Sequence, residues 1–465
     1  MRQRTTDVCV VGAGPAGSAI AQQLAELGHQ VLVIEKQMYP RSHVGICLSD
    51  TTNSLLERIG ASSSLNGENS LRRNRTLIKW GTQAASSAAQ PGTNVDRGHF
   101  DQVLLQCAAK SGANILQPGH VHAIQAVQGG GWHIQVSTQN HDEQVHAQFM
   151  VDASGRSNSL FKKLIRYAPP LFALHSTWTL LEPPPYDGFI EAGKNEWLWI
   201  ASLNNKQAMV TVYTDPKCVS IHGHPTDFYK SMLSRFSFSH LLKLDRMVTE
   251  VEGCDASSRY ALETIGQNFI CVGDARLRVD PMASQGVHLA LTSGIQAAAV
   301  VNTLLRDSSN HEAALEFYKD RQMEQVEMFR VQTASEYAKA AIGFQTKFWS
   351  ERAIGALSPI NSAAKPQPPL ASDQEISICP KVRFLPTPIL KEHFIVIEPA
   401  LYHPTLKRPV AFLGGQKIVP LLTAASGTFT PHQLLRIWQN QLSQFLAKQI
   451  IEWLWEKKIL VPTAH

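Results

Sequence analysis

Three glycines near the N-terminus have the spacing of a phosphate-binding turn. Gly12, Gly14 and Gly17 follow a short apolar run and precede a stretch in which apolar residues recur at helical spacing. In such a turn the first glycine permits a tight bend, the second lets the backbone approach a pyrophosphate, and the third lets the helix pack on the strand. Pro15 and Ala16 begin that helix, whose N-terminus attracts anionic phosphates. The pattern predicts a dinucleotide-binding unit.

An acidic residue ends the next strand of the same unit. Glu35 is placed where a carboxylate binds ribose hydroxyls, which favours the unphosphorylated ribose of FAD or NAD, and Lys36 follows it. A glycine-rich turn in an ordinary α/β core is the alternative. The order of strand, turn, helix, strand and acid favours dinucleotide binding.

A second candidate segment reads "GDARLRVDPMASQGVHLAL". Gly273 and Asp274 end a predicted strand, and this carboxylate can accept a hydrogen bond from a ribityl hydroxyl. Pro281 and Gly286 fit a tight turn before a helix that starts near Val287, and the first amides of that helix would stabilise negative charge on a flavin. An ordinary strand–turn–helix connection is the alternative.

Composition and net charge limit the classes of protein to which the chain can belong. The chain has 465 residues, 17% of them charged and 44% hydrophobic, which excludes disorder as its main character and allows two to four domains. A net charge of +5 is too small to make nucleic acid the default partner. The seven cysteines form no CxxC pair and no metal-like spacing, so we expect no metal site and a reducing, cytoplasmic location. Polar residues interrupt the longest apolar stretch, 287–305, which predicts a buried helix and no membrane span.

Four segments together resemble the FAD-dependent aromatic hydroxylases of the p-hydroxybenzoate hydroxylase fold, a superfamily that includes flavin halogenases and geranylgeranyl reductases. They are "GAGPAG" with Glu35, "VDRGHFDQVLLQCA", "DASGRSNSL" and "GDARLRVDPMASQG". The third departs from the family pattern because Ala153 replaces the usual glycine. The resemblance implies FAD as cofactor, Arg97 near the flavin phosphate or ribityl group, and oxygenation of an electron-rich ring with O2.

The fold expected from this resemblance is α/β. A Rossmann-like FAD-binding domain of the p-hydroxybenzoate hydroxylase type would occupy residues 1–170 and 250–356. An antiparallel β-sheet substrate domain, 171–249, would be inserted in it. A Ser-, Pro- and Ala-rich linker, 357–380, would lead to a small α+β, winged-helix-like domain, 381–465.

The halogenase motifs are incomplete in this chain. Trp-x-Trp-x-Ile-Pro is represented by Trp197-Leu-Trp199-Ile-Ala-Ser202, and nothing around Lys79 resembles the segment of the halogenase catalytic lysine. These differences make chlorination a weaker hypothesis than hydroxylation. The tryptophans can equally be packing residues of the inserted sheet.

Four residues are candidates for acid–base chemistry. The resemblance places "YPRSHVGICLSD" beside the flavin ring, so His43, Cys47 and Asp50, together with His288, could line the pocket. Each can also be an ordinary structural residue, and for Cys47 a small buried side chain is the favoured interpretation. No catalytic base is assigned.

The positive net charge of the chain lies in its C-terminal segment. Residues 381–465 hold ten Lys or Arg against four Asp or Glu, a net charge of +6, so the rest of the chain is close to neutral at −1. A halogenase-like flavoprotein with such an appended domain resembles those that mature cysteine tryptophylquinone in bacterial amine dehydrogenases and in glycine and lysine oxidases. This implies a protein substrate, a tryptophan-containing oxidase or dehydrogenase subunit, with NAD(P)H or a reductase as electron donor. Hydroxylation or halogenation of a free aromatic metabolite, and a flavin-bearing assembly factor for a partner oxidase, are the alternatives.

Overall fold

The structure, a computed structural model, describes residues 2–41, 46–65, 70–156, 160, 163–221, 224–356 and 368–463. Its contacts divide the chain into two compact units. The first comprises Met1–Leu305 and Tyr318–Leu357, and the second comprises Arg306–Phe317 and Ser358–His465.

A seven-stranded sheet forms the base of the first unit. Its order is β6 (Asn114–Leu116), β2 (Val31–Ile34), β1 (Arg2–Val11), β9 (Asp142–Asp152), β8 (Trp132–Thr138) and β7 (Gly119–Ala126), with β18 (Phe269–Cys271) also paired to β9. The pairs that join β6, β2, β1, β9 and β18 are parallel, whereas β7 and β8 add an antiparallel edge. The carboxyl ends of the parallel strands therefore meet at one edge, where α/β sheets bind ligands.

Four helices belong to this part of the unit: α1 (Pro15–Glu26), α2 (Asn53–Arg58), α3 (Arg97–Lys110) and α7 (Gly286–Arg306). Helix α1 packs against β1 and β2 of the sheet, and α3 packs against α1. Ala19, Phe100 and Leu291, from α1, α3 and α7, share one buried core. Within the described ranges α7 is the one helix that is long and apolar enough to cross a membrane, and most of it is buried inside the unit.

A nine-stranded sheet faces the first one. Its order is β15 (Leu244–Met247), β11 (Phe172–Leu180), β14 (Gln207–Thr214), β13 (Glu196–Asn204), β12 (Gly188–Ala192), β4 (Ser70–Lys79), β5 (Ser86–Val95) and β3 (Ile46–Ser49), with β16 (Glu252–Asp255) also on β11. The sheet therefore includes three strands from 46–95, well before the predicted insertion. Three short helices, α4 (Pro216–Ile221), α5 (Pro225–Leu233) and α6 (Ser237–Leu241), complete this layer, and Tyr229 and Phe236 pack under the sheet.

The remaining elements of the first unit connect these layers. A small sheet contains β10 (Leu164–Arg166), β17 (Arg259–Ala261) and β19 (Leu277–Arg278). The long α8 (His311–Gly343), whose residues up to Phe317 belong to the second unit, and the short α9 (Lys347–Arg352) follow. Trp349 of α9 is fully buried and packs edge-on against Trp80, with ring centroids 5.3 Å apart.

The second unit is a small α+β structure with its own core. A three-stranded sheet has the order β25 (Thr428–Phe429), β20 (Ile376–Ile378) and β26 (Leu460–Pro462). Two hairpins are formed by β21 (Arg383–Lys391) with β22 (Phe394–Tyr402), and by β23 (Phe412–Leu413) with β24 (Gln416–Lys417). The helices are α10 (Ile418–Thr423), α11 (Pro431–Trp438) and α12 (Gln444–Glu456). Thr430 and Gln433 form a capping box at α11, and the Trp438 indole at its end is fully buried.

Candidate functional site

A cavity of about 740 Å³ lies between the carboxyl ends of the parallel strands and one face of the nine-stranded sheet. This volume is within the range of cofactor and substrate sites, about 300–1,000 Å³. All of its lining residues belong to the first unit. Among the predicted cofactor residues, it is lined by Gly12, Gly14, Pro15, Ala16, Glu35, Lys36, Arg97, Gly273, Asp274, Pro281, Gly286 and Val287.

The glycine turn is held by very close backbone contacts. Gly12 has a φ of 105°, and a Cβ there would lie 2.3 Å from the carbonyl oxygen of Ala153. A Cβ on Gly17 would lie 1.9 Å from the Gly12 carbonyl oxygen, so Gly17 supports the turn without lining the cavity. At Gly14 the nearest atom to an added Cβ is a guanidinium nitrogen of Arg41, 3.6 Å away. Gly14 thus leaves open space above an α1 N-terminus that has no side-chain cap.

A network of charged side chains adjoins this turn. The buried Glu35 carboxylate accepts hydrogen bonds from the backbone amides of Ala13 and Gln37, both at 2.9 Å. Arg41 donates to Asp101 at 2.6 Å, and Arg97 donates to the same carboxylate at 2.9 and 3.0 Å.

The Asp101 carboxylate holds the two arginines in place. Its burial alone would raise its pKa, but the Arg97 and Arg41 guanidiniums outweigh burial and keep the pKa below its ordinary value. The Arg41 Nε atom is buried and has no partner within the described structure. Two guanidiniums beside an open glycine turn suit an anionic group.

The middle of the cavity is formed by the second predicted segment. Gly273 has a φ of 59°, and an added Cβ would lie 2.8 Å from the Ala16 side chain. The Asp274 carboxylate forms an ion pair with Arg156 at 2.7 Å. Gly286 begins α7, and a Cβ there would meet no atom within 4 Å.

The Asp280 carboxyl, which lines the same part of the cavity, has a strongly raised pKa. Burial raises the pKa of its carboxyl to about 6, although the Met282 amide and the Tyr337 hydroxyl both donate to it and lower the pKa. Nothing in the sequence pattern distinguished Asp280 from its neighbours, because the cause is burial.

The opposite end of the cavity is a face of the nine-stranded sheet. Strand register places Ile190, Trp199, Thr211, His175 and Glu252 side by side across five strands, and all five line the cavity. The row changes from an aliphatic side chain through an indole to polar groups.

A second row lies two residues along the same strands. It contains Trp197, Tyr213, Ala173 and Cys254, which also line the cavity. The Trp197 and Tyr213 rings stack with centroids 3.9 Å apart. The predicted packing role of Trp197 is thus compatible with a place in the cavity wall.

Of the three acid–base candidates that the structure describes, two line the cavity. Cys47 lines the cavity, donates to Asn94 at 2.7 Å, and has a pKa raised to about 11 by burial. His288 also lines it, and burial lowers its pKa. Asp50 lies outside the lining, in an ion pair with Arg72 in which its side chain is 38% exposed. His43 lies outside the described residues.

Several residues that face the cavity were not selected from the sequence. Arg41, Arg156, Asp280, Thr211 and His175 all line it. Arg41 could have been found from its place shortly after Glu35, but the sheet residues depend on strand register. Among the described residues, no three His, Cys, Asp or Glu side chains are grouped in a way that could hold a metal ion.

Comparison with known proteins identifies the family. The model of a family described as FAD binding domain matches residues 5–329. The chain belongs to this family. FAD is its cofactor, and the chain is a flavin-dependent enzyme of the halogenase and hydroxylase fold.

Relatives by sequence are distant halogenases. A 1H-pyrrole-2-carbonyl-[peptidyl-carrier protein] chlorinase from Pseudomonas fluorescens is 25% identical over 362 residues, which cover 69% of this chain and 80% of the relative. A tryptophan 2-halogenase from Chondromyces crocatus is 25% identical over 68% of this chain, and the match spans 64% of that relative.

Two solved structures match nearly the whole chain in fold. The flavin-dependent halogenase CmlS has a TM-score of 0.81 at 20% identity, with 99% of this chain and 96% of that chain covered. The peptidyl tryptophan dihydroxylase QhpG, essential for tryptophylquinone cofactor biogenesis, has a TM-score of 0.74 at 22% identity, with 97% and 99% covered.

The cavity residues fit FAD. The space above Gly14 admits a pyrophosphate that any side chain there would displace, and a terminal guanidinium nitrogen of Arg41 lies beside the same space. Each oxygen of the Glu35 carboxylate accepts one amide hydrogen bond and keeps capacity for a ribose hydroxyl.

Substitution of Gly14 should abolish FAD binding without unfolding the protein. Gly14 has a φ of −68°, so Gly14→Val is compatible with its backbone, and we expect a folded protein that purifies without FAD. Gly12→Ala is the matched variant, because its Cβ meets the Ala153 carbonyl and the fold itself should be destabilised. Flavin absorbance and thermal unfolding distinguish the two. A normal flavin content in Gly14→Val would contradict the assignment.

Asp280 should make stability depend on pH. Its folded pKa of about 6 lies above the ordinary 3.8, so wild-type stability falls as pH rises between those values. Asp280→Asn removes this loss. Between pH 4 and pH 7, the free energy of unfolding of the flavin-free variant should therefore rise by up to about 3 kcal/mol relative to that of the flavin-free wild type.

Asp101→Asn is the control for this prediction. Asp101 has a lowered pKa, so its carboxylate stabilises the fold at every pH above its ordinary value and loses that effect only in stronger acid. The variant should therefore be less stable than wild type by a constant amount between pH 4.5 and pH 7.5. Chemical denaturation at several pH values measures both differences, and a pH-independent Asp280→Asn difference would contradict the burial argument.

Proposed function

We propose that this protein is an FAD-dependent monooxygenase that hydroxylates a tryptophan ring of a partner protein during tryptophylquinone biogenesis. Its co-substrates would be O2 and electrons from NAD(P)H or a reductase. When bound, the flavin supplies the activation of O2. The protein's own residues bind the flavin, hold the ring and exclude water.

The residues that line the cavity indicate how the cofactor would be held. Gly12, Gly14 and the α1 N-terminus would hold the pyrophosphate, and Glu35 would hold the adenosine ribose. Arg41 and Arg97 carry the positive charge on that side, held by Asp101. Lys36 lies beside Glu35, and Asp274, Pro281, Gly286 and Val287 would complete the site along the second segment.

The row across the nine-stranded sheet carries the substrate proposal. An indole has a flat apolar ring and one N–H donor. Ile190 and Trp199 offer apolar and aromatic surface, and Thr211 lies beside Trp199 on the next strand. The Thr211 hydroxyl oxygen is buried without a hydrogen-bond partner within the described structure, so it can accept from an indole N–H. His175 follows in the row.

The residues around this row favour hydroxylation over halogenation. Flavin halogenases use a catalytic lysine, but the only lysine among the described lining residues is Lys36, which follows Glu35 at the opposite end. Lys79 does not line the cavity and forms an ion pair with Glu191 at 2.9 Å. Halogenation of an aromatic substrate is the second candidate, because the sequence relatives are named as halogenases.

A protein-borne substrate is supported by two relatives and by charge. The names of QhpG and of the Pseudomonas chlorinase both describe substrates carried on a polypeptide. The C-terminal segment 381–465, with its net charge of +6, would dock an acidic partner surface.

The seven free cysteines suit the proposed cytoplasmic location.

Thr211→Val tests how the ring is held. Valine keeps the shape of threonine but cannot accept a hydrogen bond, so a tryptophan peptide should bind about fivefold to tenfold more weakly, with flavin content unchanged. A peptide with 1-methyltryptophan, which lacks the N–H donor, should bind both proteins equally. Titrations followed by flavin absorbance give the four dissociation constants. Equal losses for both peptides would contradict the proposed hydrogen bond.

The reaction itself is tested by intact mass. FAD-loaded protein, a reduced nicotinamide with a flavin reductase, and the unprocessed subunit of a tryptophylquinone enzyme are incubated in air, with and without bromide. We expect whole oxygen-atom additions to the subunit that do not depend on bromide. Bromine incorporation, or product from free tryptophan or phenols alone, would favour the second candidate. An unmodified subunit that nevertheless needs the flavoprotein for assembly would favour an assembly factor.

A further inference from the structure

A thiol and an imidazole face each other in the second unit, away from the lining of the flavin cavity. Cys379 directly follows β20 and His403 directly follows β22, and the Cys379 Sγ atom lies 3.4 Å from His403 Nε2. A nucleophile within hydrogen-bond distance of a base is the arrangement that activates thiols in proteins.

The backbone fixes the position of the thiol. The Cys379 amide donates to the Ile459 carbonyl at 2.8 Å, and the Cys379 carbonyl accepts from the Val382 amide at 2.9 Å. With both backbone groups bonded, the half-buried side chain is held in place beside the imidazole.

A third residue sets the tautomer of His403. The Thr405 hydroxyl donates to the Lys457 carbonyl at 2.5 Å, so its oxygen accepts from His403 Nδ1–H at 2.8 Å. The Thr405 amide donates toward the same Nδ1 atom at 3.4 Å, a longer and weaker contact that would favour the other tautomer. Nε2 is therefore the unprotonated nitrogen, and it faces the thiol.

Burial and charge keep this imidazole neutral. His403 is only 3% exposed, and burial, together with the nearby Lys381 ammonium, lowers its pKa. A neutral imidazole can take a proton from the thiol.

The other cysteines lack this arrangement. Burial raises the pKa of Cys9 to about 12 and that of Cys47 to about 11, and it also raises the pKa values of Cys254 and Cys271. Cys107 is half-buried like Cys379, but its thiol donates to the Gly60 carbonyl, which cannot accept a full proton transfer. Cys218 is also half-buried and packs against the core beneath the nine-stranded sheet.

We propose that Cys379 is a reactive thiol, activated by His403 and positioned for modification by soft electrophiles and by hydrogen peroxide. With peroxide, the thiol proton moves to His403 Nε2 and the sulfur attacks one peroxide oxygen. The O–O bond breaks, the sulfur is oxidised to sulfenic acid, and the departing hydroxide takes the proton from Nε2 and leaves as water. This inference does not depend on the proposed function.

Competitive labelling of the FAD-loaded full chain tests the proposal. Iodoacetamide at limiting concentration and neutral pH, followed by peptide mapping, should modify Cys379 about tenfold faster than Cys107 and Cys218. His403→Gln should bring the Cys379 rate close to theirs, and Thr405→Val, which releases Nδ1, should lower it partly. Peroxide followed by a sulfenic-acid-specific diketone should label the same cysteine first.

The Cys107 and Cys218 rates serve as internal controls for folding. If they stay unchanged while the Cys379 rate falls in His403→Gln, the imidazole acts on the thiol. If wild-type Cys379 reacts no faster than the two controls, the proposal is wrong. It is also wrong if neither His403→Gln nor Thr405→Val changes the Cys379 rate in a protein with an unchanged melting temperature. The wild-type comparison and Thr405→Val decide the question even if His403→Gln does not fold.

Discussion

The flavin site depends on how closely three backbone segments approach each other at the glycine turn. Gly12 lies against the end of β9 at Ala153, Gly17 lies against Gly12 itself, and Gly273 after β18 lies against the Ala16 side chain at the start of α1. None of these positions has room for a Cβ. The contacts bring the ends of β1, β9 and β18 together around the α1 N-terminus, so that the Arg41 and Arg97 guanidiniums and the Glu35 and Asp274 carboxylates are among the groups that line one cavity. If these segments separated, the charged residues would no longer converge.

The parts of the site that the sequence predicted are those whose chemistry is local. A glycine turn between strand and helix, and an acid at the next strand end, are each defined within a few residues, and the cavity contains Gly12, Gly14 and Glu35 together. The row from Ile190 to Glu252 could not be predicted in this way, because it is created by the register of five strands. The same applies to β3, β4 and β5, whose membership of the second sheet depends on pairing between β4 and β12. The raised pKa of Asp280 depends on burial, which no local pattern reveals.

The positive net charge is concentrated in the C-terminal segment 381–465, in a way that suits a protein substrate. Beside the glycine turn the guanidiniums of Arg41 and Arg97 pair with Glu35 and Asp101. The chain outside 381–465 has a net charge of −1. The C-terminal segment carries the net charge of the whole chain. A net charge of +5 spread over 465 residues does not indicate a class of partner. Its concentration in the segment 381–465 does, because it favours an acidic partner surface there.

In the proposed function, oxygen from O2 is transferred to an aromatic ring bound at the nine-stranded sheet. Turnover under isotopically labelled O2 in ordinary water tests this claim most directly, with the mass of the modified tryptophan peptide as the measurement. A monooxygenase places the heavy isotope in the product, and this is the result that the account predicts. A product oxygen derived from water, or a halogenated product, would contradict it.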